Sequence, residues 1–135
     1  MTKILVVKDD LELAPFLAAL LRDRGYNAIP CKHSDRAVEL LPHIRPDLVI
    51  TDIKNQLIGG LEVIRTARQR DASAKVIVLS GYGHLITVLE SILMVANEYV
   101  EMPFKVDEFL AVIQEVLRRP VLPPGRTLLA VLTRL

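Results

Sequence analysis

The chain holds a single cysteine, Cys31, which excludes an intrachain disulfide and any metal cage built on paired thiolates. It carries no excess charge of either sign: 17 basic side chains against 16 acidic ones leave a formal +1. That balance lacks the electrostatic footprint needed to wrap nucleic acid or to sit on an anionic membrane. Long hydrophobic runs are missing as well. Ile4 to Val7 is too short for the core of a signal peptide. The longest uncharged stretch, Val76 to Leu89, falls short of a membrane span and is broken by Gly81, Gly83 and His84. Internal repeats and low-complexity tracts are absent. What is there is 135 residues, 51% apolar and 24% charged, which excludes intrinsic disorder and fits one domain with an ordinary core. A cytoplasmic location is expected.

Three apolar runs rich in branched side chains, Ile4 to Val7, Leu48 to Ile50 and Val76 to Leu79, show no polar alternation. Each reads as a strand covered on both faces, the mark of a parallel sheet. Weaker strands fit Asn27 to Pro30 and Glu98 to Val100. Segments with helical spacing lie between them. Leu13, Leu17, Leu20 and Leu21 form one stripe, with Pro15 in the first turn and Gly25 where a C-terminal cap belongs. Ser34 or Asp35 is expected to cap a helix through Leu40 and Leu41 that must stop before Pro46. Leu61, Ile64 and Arg65 to Arg68 suggest a helix with a basic outer face, and Leu85 to Val95 another. Phe109, Leu110, Ile113, Val116 and Leu117 suggest the last, ended by Arg118, Arg119 and Pro120. Five strands alternating with five helices predict a doubly wound α/β fold. Residues 1–119 are the expected domain; 120–135, with Pro120, Pro123, Pro124 and Gly125, read as a proline-rich linker and short apolar tail.

In open α/β sheets function gathers at the carboxyl ends of the strands. Lys8, Asp9 and Asp10 follow the first strand, Asp52 the third, Ser80 and Gly81 the fourth, and Met102, Pro103 and Phe104 the fifth. Carboxylates from two strands beside a hydroxyl suit Mg²⁺, which prefers oxygen ligands. A carboxylate can also attack phosphorus to form an acyl phosphate. A dinucleotide site is excluded, because the first strand is not followed by a glycine-rich turn. A phosphatase with a second acid two residues after its nucleophile is excluded by Lys54.

Four stretches in order, Ile4 to Asp10, Arg45 to Asp52, Val76 to Gly81 and Tyr99 to Phe104, resemble the receiver domain of bacterial two-component response regulators, of the chemotaxis-receiver type. The resemblance implies a flavodoxin-like, three-layer fold with strand order 2-1-3-4-5, an order that spacing does not show. It implies that Asp52 accepts a phosphoryl group from a histidine kinase or phosphotransfer protein, with Mg²⁺ held by Asp9 and Asp52. Ser80 would meet the phosphoryl oxygen, and Tyr99 would be the aromatic that changes rotamer in response.

This sequence departs from the family pattern in two charges. Lys8 stands where a first acid is usual, and Met102 stands where a lysine precedes the proline. Lys8 should weaken Mg²⁺ binding, either by pairing with Asp52 or by taking over part of the missing lysine's role. Gln56 replaces a common proline, and Lys54 is within reach of the pocket rim. The alternative is a pseudo-receiver, a phosphorylation-independent protein-interaction module on the same fold. In neither case is the chain expected to be an enzyme in the ordinary sense, to contact nucleic acid directly or to enter a membrane. Leu85, Ile86, Leu93 and Val112 are the expected apolar face for a downstream protein or a homodimer. His33, His43 and His84 show no ligand spacing and read as surface residues, and Cys31 as an inert strand-end thiol.

Overall fold

The three central strands of this chain have no polar side to turn to water, so both faces of their sheet must be covered by helices. The computed structural model describes residues 1–8, 13–52, 57–71, 73–80 and 96–120. In chain order the elements are β1 (Lys3–Val7), α1 (Leu13–Asp23), β2 (Asn27–Cys31), α2 (Ser34–Ile44), β3 (Leu48–Asp52), α3 (Leu57–Arg70), β4 (Lys75–Ser80), β5 (Glu98–Glu101) and α4 (Val106–Arg118). All neighbouring strands pair in parallel, and their order is β2-β1-β3-β4-β5. The helix expected over Leu85 to Val95 and the tail beyond Pro120 lie outside the described residues.

Alternation along each strand divides the core into two layers. Ile4, Val6, Leu48, Ile50, Ile77 and Leu79 face α1 and α4, where Leu17, Leu21, Phe109 and Ile113 close over them. Leu5, Val7, Val49, Val76 and Val78 face α2 and α3, against Leu41, Val63 and Ile64. Each fully buried aliphatic side chain contributes about 1.5–3 kcal/mol of transfer free energy. The three central strands therefore anchor both layers, which makes their ends fixed points from which side chains can be aimed.

The connections follow local chemistry. Gly25 sits at φ 92°, a left-handed conformation that costs glycine little. Its N–H donates to the Arg22 carbonyl and that of Tyr26 to the Leu21 carbonyl, the paired bonds of a Schellman ending. The expected capping of α2 is corrected: His33 is the N-cap and makes no side-chain cap bond. Ser34 is instead the first helical residue and is buried. The helix contains Pro42 and ends at Arg45, left-handed at φ 51°, before Pro46. The basic face expected of α3 is corrected too. Arg65 is exposed, but Arg68 is half-buried and donates to Asn97 Oδ1 at 2.7 Å.

Asn97 is the centre of a polar clasp at the amino ends of β4 and β5. Its Oδ1 also accepts the Val76 N–H at 2.8 Å, and its carbonyl accepts from Arg119 Nη1 at 2.6 Å. Arg119 pairs with Glu98 and Glu115, both at 2.9 Å. Lys75 Nζ donates to the carbonyls of Leu117 and Arg119, each at 2.7 Å, and so satisfies the end of α4.

Candidate functional site at the carboxyl ends of the central strands

Between β1 and β3 the strand order reverses, and it is there that the crevice of a doubly wound sheet opens. The register pairs Val7 with Thr51, so the next residues, Lys8 and Asp52, stand side by side. Alternation carries both toward the layer that Val6 and Ile50 face. The Lys8 backbone is held by its N–H bond to the Cys31 carbonyl at 3.0 Å, which extends the pairing of β1 with β2.

Lys8 Nζ donates to Asp52 Oδ2 at 2.6 Å. The two side chains keep only 10% and 7% of their surface in water. A charge-assisted bond of this length and burial is far from an exposed ion pair, whose worth is about 0–1 kcal/mol.

Other expected site residues take different places. Ser80 ends β4 opposite Glu101 in the register, one step beyond the Asp52–Leu79 pairing; only its backbone is described. Tyr99 lies on β5 opposite Val78 and packs on the α2–α3 layer. Its hydroxyl is buried and has no hydrogen-bond partner among the described residues. Met102 packs against the α1–α4 core layer, so it serves apolar packing next to the cis Met102–Pro103 bond. Just beyond, Phe104 stacks on Phe109 with centroids 4.4 Å apart, fastening this loop to α4. Asp9, Lys54, Gln56, Gly81, His84, Leu85, Ile86 and Leu93 lie outside the described residues. Val112 is half-buried on α4 and packs on the core layer beneath it.

His33 and His43 are exposed, as expected. Burial pushes the Cys31 thiol up from its ordinary value, and its Sγ lies 3.2 Å from the His33 carbonyl, in keeping with an inert thiol. The buried Thr51 hydroxyl, which has no partner among the described residues, was not anticipated, and neither was the Asn97 clasp. Polar residues at the thresholds of apolar strands, Lys75 and Asn97, were the available signal for the clasp.

The described residues by themselves do not make up a divalent-cation site, and Asp9, the other expected ligand, lies outside them. Magnesium requires several oxygen ligands. Among the described residues no group of three or more His, Cys, Asp or Glu side chains comes together to hold a metal. The Asp52 carboxylate is instead engaged by an ammonium, and a doubly charged ion placed beside that ammonium would meet repulsion on the order of several kcal/mol.

A family model described as the response regulator receiver domain matches residues 4–114. The chain is 28% identical over 116 residues to the nitrogen assimilation regulatory protein NtrX of Azorhizobium caulinodans, a match covering 84% of this chain and 26% of that one. It is 32% identical over 117 residues to the DNA-binding response regulator MtrA of Mycolicibacterium smegmatis, covering 87% and 51% respectively. Among solved structures, a CheY-like response regulator receiver domain protein of Methanospirillum hungatei superposes with a TM-score of 0.80 at 24% identity, over 87% of this chain and 94% of that one. The chain thus spans about a quarter of NtrX and about half of MtrA.

Proposed function

The chain belongs to the response regulator receiver domain family, and from that premise we propose that it is a signalling receiver whose Asp52 accepts a phosphoryl group from a histidine kinase or phosphotransfer protein. Receiver domains act in phosphorelay signalling, are not classical enzymes, and are typically phosphorylated on aspartate. The observation that carries the reading is the placement of Asp52: a carboxylate at the end of the central strand β3, beside the strand-order reversal, with a cation 2.6 Å away. One Asp52 oxygen forms the bond to phosphorus, and the donor's phosphorus–nitrogen bond breaks onto its imidazole. Lys8, on a flexible stem, is placed to follow charge onto the new phosphoryl oxygens. Ser80 would donate to that group from the neighbouring strand. Tyr99 would report it, since its buried hydroxyl gains from any rearrangement that offers a partner.

Residues 1–119 form the working unit in this reading, 120–135 a linker and tail, and the signal leaves through contacts with a downstream protein or a second copy. MtrA is a DNA-binding response regulator, but the balanced charge of this chain argues against direct contact of its receiver unit with nucleic acid. No helix among the described residues is long and apolar enough to cross a membrane, and we place the domain in the cytoplasm.

A second reading, a phosphorylation-independent interaction module, is favoured by the same Lys8–Asp52 bond, because it caps the nucleophile. Incubation with acetyl phosphate, followed by intact-protein mass measurement, separates the two. The receiver reading expects a mass gain of one phosphoryl group that is lost in Asp52→Asn. No gain at any donor concentration would establish the interaction module instead.

A further inference from the structure

Receiver domains generally bind Mg²⁺ at the phosphorylation site, and the described pocket of this chain is at odds with that habit. We propose that Lys8 stands in for the metal: its ammonium is the resident cation of Asp52 and occupies the ground a divalent ion would need. The inference rests on Asp52 being the acceptor position, and it concerns what neutralises that position.

Three observations converge. The first is positional: the Val7–Thr51 register and the Lys8–Cys31 backbone bond make residue 8 the immediate neighbour of Asp52, whatever its side chain. An acid there would set a second carboxylate beside Asp52, whereas a lysine brings a positive charge. The second is the bond itself, at 2.6 Å with both partners about nine-tenths buried. A magnesium ion sheds its waters reluctantly and would have to break this pair before gaining one carboxylate. The third is Met102, which packs on the core and brings no cation to the carboxyl end of β5. Lys8 therefore supplies positive charge both for the metal and for the lysine this chain lacks. In transfer from acetyl phosphate, an Asp52 oxygen bonds to phosphorus and the bond to acetate breaks, its electron pair leaving on acetate. Charge is conserved without a proton, and the ammonium stays beside the oxygens throughout.

The test is calorimetric titration of the full chain with MgCl₂ alone, in the parent, Lys8→Met and Lys8→Asp. The proposal expects no saturable binding by the parent in the low millimolar range and affinity at least about tenfold higher in Lys8→Asp. Equal affinity in parent and Lys8→Asp would overturn it. Should Lys8→Asp fail to fold, thermal unfolding of the parent decides the matter, because a ligand of the native state raises Tm by mass action. A parent Tm unmoved by millimolar Mg²⁺ supports the proposal, and a rise overturns it.

Labelling with acetyl phosphate then separates this inference from the acceptor reading. A parent labelled equally with Mg²⁺ and with a chelator supports both. A parent labelled only with Mg²⁺ overturns the role of Lys8 and leaves Asp52 as acceptor. No labelling in either condition, with metal binding gained in Lys8→Asp, removes the acceptor reading and keeps Lys8 as the cation.

Discussion

Lys8 and Asp52 keep about a tenth of their side-chain surface in water, and their pairing offsets the cost of burying each charge. Removing the ammonium alone takes a charged partner from a buried carboxylate. Lys8→Met is expected to lower the unfolding free energy by about 3 kcal/mol, measured by urea denaturation. Replacing both partners, as in Lys8→Met with Asp52→Leu, should bring stability back to within about 1 kcal/mol of the parent, since an apolar pair needs no compensation. An unchanged single variant would mean that the pair is solvated and carries little. Both residues were visible in the sequence as strand-end charges. Their contact was one of two arrangements open to a flexible lysine, because residue types do not state register, and register is what sets 8 beside 52. Chain position alone puts Met102 beside the pocket, whereas its side chain packs against the core layer.

Elements with strong patterning were legible from end to end, and those decided by a single side chain were not. The stripe on α1 and the glycine after it predict both the helix and its ending, because periodicity and left-handed backbone are local properties. Ser34 misled, since a serine that caps and a serine buried in the first turn look alike in sequence. Arg68 misled for a related reason: half of an arginine's length is aliphatic, and only the fold brings Asn97 to meet its head. That contact leads to a prediction at the level of the elements. Asn97→Ala removes the acceptor shared by the Val76 N–H and Arg68. We expect a loss of about 2 kcal/mol, the cost of leaving such groups unpaired. Amide exchange at Val76 should accelerate with it, whereas a rise confined to distant loops would show that the clasp does not hold β4.

For the whole molecule, the layered α/β architecture followed from composition and alternation, whereas the strand order did not. Short apolar runs carry no record of which neighbour they pair with, so in the sequence the order β2-β1-β3-β4-β5 is carried by resemblance alone. The order matters for function because it places the reversal, and with it Asp52, at the middle of the sheet. The acceptor role of Asp52 is the central claim, and acyl phosphate trapping tests it most directly. After exposure to acetyl phosphate, borohydride reduction converts an aspartyl phosphate to homoserine, and peptide sequencing by mass spectrometry locates it. The account predicts homoserine at position 52 and nowhere else. Homoserine at another aspartate, or none in a folded and donor-saturated protein, would contradict it.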